Sequence, residues 1–194
     1  MTPVPPCRPV TVLAFAGDRS GPFVARVFAA LADGSSGRGP GPSRLECLLL
    51  AGHAGVSTDA GATVFGFNPN AGGLPAWQVL QGLQNGEAFP GIVTDDTGIF
   101  TAARQHGLAV EVFEVLLPEP TFRRFVAALG RERQNSRYSY GFPDGDGDGN
   151  CITWIERLGL PLLTGRMDEF LALSGKAGHS RQDQTNLRCA TLSA

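Results

Sequence analysis

Apolar residues recur along the chain with two periods, and each period marks a kind of element. Val10 to Ala16 is a short unbroken apolar run, which reads as a buried strand. Gly21 to Ala32 places Phe23, Val27, Phe28 and Leu31 on one side of a helix. Gly34 to Ser43, built from Gly, Ser and Pro, is a connecting loop. Leu45 to Ser57 is again apolar, ends in Thr58-Asp59-Ala60-Gly61 and is followed by Thr63 to Phe67, which predicts two strands joined by a tight turn.

Asn68 to Pro90 is rich in Gly, Asn and Pro around Trp77, Val79, Leu80 and Leu83, and reads as a loop with one helical turn. Thr94-Asp95-Asp96 is a helix start before Ile99 to Gln105, with Gly107 as its stop. Leu108 to Leu117 alternates as a strand until Pro118. Pro120 to Leu129 spaces Phe122, Phe125, Val126 and Leu129 for an amphipathic helix with Arg123 and Arg124 outward. Helices are also predicted over Cys151 to Leu158 and Met167 to Leu173, before a polar tail from 174 to 194.

Composition narrows the classes. Gly and Pro supply 26 and 14 of the 194 residues, so loops are plentiful. A hydrophobic fraction of 42% suffices for one core, and the reading is a single α+β domain over 1–173. A net charge of -2 gives no electrostatic basis for binding nucleic acid or an anionic membrane. The apolar runs are too short to span a bilayer, so no membrane insertion is expected. Four scattered cysteines without a C-x-x-C pair fit a reducing compartment. Arg8 and the run ending Ala14-Phe15-Ala16 superficially resemble a secretory signal, but three prolines in the first six residues favour a coil leading into a strand. The expected location is cytoplasmic, or secreted without a cleavable signal.

Two segments carry candidate chemistry. Cys151 follows Asn150 in the first turn of a predicted helix, where unpaired N–H groups and the helix dipole favour a thiolate. His53, between Gly52 and Ala54 on a strand, is suited to serve that thiol as general base and then to protonate a leaving group. Taken singly, the simpler reading of Cys151 is a small buried hydrophobe and that of His53 a satisfied core histidine. A two-residue turn at Ala60-Gly61 would set His53 directly across from Asn68, whereas a three-residue turn would put Phe67 there. Asn68 is therefore the candidate to orient the imidazole, against ordinary turn chemistry before Pro69. Asp95 is a further candidate, with helix capping as its simpler role.

Asp144, Asp146 and Asp148 open like an EF-hand calcium loop, but position 12 is Ile155 and Glu156 falls one residue late. The alternative to a calcium site is a metal-free acidic loop, and no metal or other cofactor is assigned. His106, His179, Cys7, Cys47 and Cys189 carry no site pattern.

In combination, GHA at 52–54, FGF-N at 65–68 and YSYGF...NCITW at 138–154, with His before Cys, resemble the circularly permuted papain-like group. That group includes permuted NlpC-like peptidases and amidases and lecithin:retinol acyltransferase-like enzymes. The resemblance covers Leu45 to Leu163. It implies a small antiparallel sheet packed against helices, Cys151 as nucleophile, His53 as base and a peptide or protein substrate. It further implies a cysteine-dependent hydrolase of an amide, isopeptide or ester bond, a class that includes secreted bacterial toxins. The rival readings are a thiol-dependent acyltransferase and a non-catalytic calcium-binding or interaction domain.

Overall fold

The computed structural model describes residues 6–18, 42–141 and 148–160. The predicted helices over 21–32 and 167–173, most of the 34–43 loop, the tail, Asp144, Asp146, His179 and Cys189 lie outside them. Within the described residues the protein is α+β, with six strands in one antiparallel sheet and five helices. The strands are β1 Cys7–Ala16, β2 Gly52–Ser57, β3 Phe65–Pro69, β4 Phe89–Asp95, β5 Val110–Pro118 and β6 Ser139–Tyr140. The helices are α1 Arg44–Ala51, α2 Ala76–Gln84, α3 Thr97–Gln105, α4 Glu119–Gln134 and α5 Cys151–Arg157. The spatial order is β5-β1-β2-β3-β4-β6.

Both faces of the sheet are covered. Val10, Val12 and Ala14 of β1 share one core with Val56, Phe67, Val93, Phe125 and Leu129 of α4, and Trp154 and Ile155 of α5. The alternate positions Leu13 and Phe15 join Leu49 and Leu50 of α1 with Phe100 and Ala103 of α3 on the opposite face. This two-sided burial explains the unbroken apolar run of β1, since a strand covered on both faces has no polar side.

Three expectations need correction. Leu45 to Ala51 is helix rather than strand. Ser43 caps α1 and Glu46 closes a capping box by reaching back to the Ser43 N–H, while RLECLLLA holds no β-branched residue. Gly52, at φ 85°, then turns the chain into β2. The predicted loop over 68–90 contains the full helix α2. Beyond it lies β4, which the Pro90-Gly91 pair masked as loop. That pair fits because the Gly91 N–H is bonded to the Tyr138 carbonyl, and a Cβ at Gly91 would run into the Phe67 ring.

Of the two hairpin registers left open by the sequence, the structure has the one with the two-residue turn. Asp59 accepts the Ala62 N–H, Ala60 and Gly61 have φ of 57° and 88°, and Gly55 and Val56 stand opposite Gly66 and Phe65. The Ser57 hydroxyl accepts the Gly61 N–H and donates to the Asp59 carboxylate, which accepts the Thr63 N–H. Pairing between β2 and β3 ends at Gly55 and Gly66, whereas β1 and β2 pair as far as Gly52, and β3 and β4 as far as Pro69. The sheet is therefore open between His53 and Asn68.

Trp154 locks α5 onto the sheet by stacking on Phe67, with centroids 5.9 Å apart and 1% of the residue exposed. We predict that Trp154→Ala costs about 3–5 kcal/mol in urea unfolding. Val126→Ala, on the exposed side of α4, should stay within about 0.5 kcal/mol. Equal losses would contradict this account of the core.

Candidate active site

The N-terminus of α5 is built by Asn150. Its side-chain oxygen accepts the N–H groups of Ile152 and Thr153, and the Thr153 hydroxyl accepts the Asn150 N–H. Cys151 is thereby fixed at the first helical position, beside the opening between β2 and β3. Its sulfur faces the His53 side chain, the Ala54 backbone N–H and the Tyr140 hydroxyl, which act together on its ionisation. Cys151 and His53 do meet, and both are buried.

His53 leaves β2 on the face that carries Phe15, its cross-strand partner. The imidazole lies 6.4 Å from the Phe15 ring and 5.7 Å from the Phe100 ring, centroid to centroid. Nε2 is 2.8 Å from Asp96 Oδ2. Nδ1 has no hydrogen-bond partner among the described residues, and it is the nitrogen left to face the Cys151 thiol.

Asp96, not Asn68, is the side chain hydrogen-bonded to the imidazole. Asn68 sits where the register places it, but its side chain donates to Asp96 Oδ2 at 2.6 Å, to Thr94 Oγ1 at 3.0 Å and to the Gly66 carbonyl at 3.2 Å. On its other oxygen, Asp96 accepts from Thr94 Oγ1 at 2.7 Å and from Arg44 at 3.3 Å. Asp95 keeps the capping role, accepting the N–H and hydroxyl of Thr97. Strand alternation separates the two acids. Thr94 stands opposite Gly66, on the face of His53 and Asn68, so Asp96 falls on that face and Asp95 on the other. Recognition of β4 would have selected Asp96 from the sequence. Arg44, in the first turn of α1, carried no comparable signal.

The electrostatics follow from burial and partners. Burial by itself lowers the His53 pKa, but the bond to Asp96 and the interaction with Cys151 outweigh it and raise the value to about 9. Burial raises the Cys151 pKa, and the imidazolium, the Ala54 N–H and the Tyr140 hydroxyl together bring it below the ordinary thiol value. Burial likewise opposes ionisation of Asp96, and His53, Thr94 and Asn68 hold it ionised. These shifts favour the thiolate–imidazolium form of the pair, backed by a carboxylate. The imidazolium adds stability that is complete below the ordinary histidine pKa and is lost as the pH rises through about 9. The Asp96 carboxylate adds stability that is present above the ordinary carboxyl pKa and is lost as the pH falls below it. Cys47, by contrast, is pushed up to about 11 by burial and by Glu46.

A cleft of about 510 Å³ adjoins the pair, walled by α1, α2 and the 69–75 loop. Gly52, Asn68 and Tyr140 line it, whereas Cys151 and His53, expected to line it, are not among its lining residues. Asp148 gives its carboxylate to the Ser139 N–H and hydroxyl. Among the described residues no cluster of three or more His, Cys, Asp or Glu side chains could hold a metal ion. No described helix is long and apolar enough to cross a membrane. No protein-family model, curated protein or solved structure matches the chain.

A methyl group at Gly66 would run into Asp96 Oδ2 and His53 Nε2. We predict that wild-type Cys151 reacts with N-ethylmaleimide at pH 7 at least about tenfold faster than Cys47, and that Gly66→Ala removes this advantage. Equal rates in the folded wild-type protein would contradict the assigned ionisation.

Proposed function

We propose that the protein is a cysteine-dependent hydrolase of amide, isopeptide or ester bonds, of the kind found in the permuted papain-like group. The observation that supports this reading is the buried chain Cys151, His53, Asp96, in which a thiol at a helix start and a carboxylate engage one imidazole. A cysteine packed only for its bulk needs no such partners.

In this reading the Cys151 thiolate attacks the carbonyl carbon, and the carbon–sulfur bond forms as charge moves to the carbonyl oxygen. The Cys151 backbone N–H faces the Tyr140 hydroxyl, and in this reading it turns to the carbonyl oxygen as the carbon–sulfur bond forms, the next two N–H groups being held by the Asn150 side chain. The His53 imidazolium gives its proton to the leaving nitrogen or oxygen as the scissile bond breaks, which leaves a thioacyl group on Cys151. Neutral His53 then takes a proton from water, whose oxygen attacks the thioester. Collapse releases the acid and restores the thiolate. Asp96 keeps the imidazole oriented throughout and stabilises its charged form.

The rival calcium-loop reading has less support, since Asp148 is already held by Ser139. We predict that the protein turns over p-nitrophenyl acetate through an acetyl thioester on Cys151, detectable by intact mass. Cys151→Ala should abolish turnover, and His53→Ala should lower it at least about a hundredfold. Unchanged turnover in Cys151→Ala would overturn the assignment.

A further inference from the structure

The Asn68 side chain has a fixed direction. Its NH2 group faces the Gly66 carbonyl and the Asp96 carboxylate, neither of which can donate, so the amide cannot be turned over. The carbonyl end points away from those acceptors, and Asn68 Oδ1 is buried with no donor among the described residues. A buried acceptor without a donor is costly, because it has given up water and gained no partner. Asn68 is 1% exposed and belongs to the wall of the cleft, together with Tyr140, whose hydroxyl faces the Cys151 sulfur. An unmatched acceptor thus belongs to a residue that stands between the cleft and the surroundings of the thiol.

We infer that Asn68 Oδ1 is a substrate-positioning acceptor for an N–H group next to the scissile carbonyl, which makes amides the favoured substrate class of this site over esters. The inference rests on the hydrolase reading and narrows it. An amide N–H supplies the missing donor. An ester puts an oxygen in that place, facing another acceptor, and leaves Oδ1 unmatched. The remaining cleft wall, with Leu48, Leu74 and Trp77, offers apolar contact and no competing carboxylate.

The test compares three thiol-reactive probes of similar size: iodoacetamide, N,N-dimethyl-iodoacetamide and methyl iodoacetate. In each, sulfur attacks the methylene carbon, the carbon–sulfur bond forms as the carbon–iodine bond breaks, and iodide leaves. Rates at Cys151 are read by peptide mass spectrometry and divided by the rates of free cysteine at the same pH. Any change in thiolate fraction then cancels between probes. Iodoacetamide, the only one with N–H groups, should be favoured at Cys151 by about tenfold over both others. Asn68→Ala should lower all three rates, because Asp96 loses a donor, and should also erase the preference. If all three react faster than with free cysteine but without preference, the assignment of Asn68 fails and the hydrolase reading stands. A preference that persists in folded Asn68→Ala likewise overturns it. If none exceeds free cysteine, the hydrolase reading fails and takes this inference with it.

Discussion

Asp96 holds a negative charge where almost no water reaches, and the surrounding elements are arranged to answer it. Four side chains donate to its two oxygens: His53 from β2, Asn68 from β3, Thr94 from β4 and Arg44 from α1. Removing a partner from such a buried cluster typically costs about 3–5 kcal/mol, because the charge left behind is uncompensated. These donors come from four different elements, so the carboxylate also fixes how the central strands and α1 sit relative to one another. Gly66 is part of the same constraint, since the His53–Asp96 bond occupies the space that a side chain there would need.

The open stretch of sheet follows from that arrangement. Where β2 and β3 stop pairing, after Gly55 and Gly66, the Ala54 N–H turns to the Cys151 sulfur. The sulfur meets the imidazole from the α5 side, while Asp96 holds it from the α3 side. With Cys151 and Asp96 as anions and His53 and Arg44 as cations, the four charges cancel. Arg44 is half exposed and adds less than its distance suggests, because solvent screens it. Neutrality still lets a thiolate persist at a depth where burial alone would protonate it.

Much of this was legible in the sequence, and the misses share a cause. The α+β class and the capped start of α5 follow from apolar periodicity and the Asn-Cys signal, turn chemistry narrows the β2–β3 register to two, and the pairing of Cys151 with His53 comes from the resemblance of the combined motifs. The helix α1 was misread because an apolar octapeptide has no clear period, although Ser43 and Glu46 spelled out its cap. The strand β4 was hidden by Pro90 and Gly91, and with it went the alternation that separates Asp96 from Asp95. Arg44 was beyond local reasoning altogether, since it meets Asp96 across 52 positions of chain.

The central claim is that Cys151 is ionised at neutral pH because His53 and Asp96 make it so. Thiolate absorbance in the ultraviolet, followed against pH in the wild type and in Cys151→Ala, measures this directly. The difference spectrum should show one thiolate already present at pH 7 and vanishing only as the solution is made acidic. Asp96→Asn, which weakens the hold on the imidazolium, should move that loss to higher pH. A Cys151 signal that first appears in the range of an ordinary thiol, and that ignores Asp96→Asn, would contradict the account.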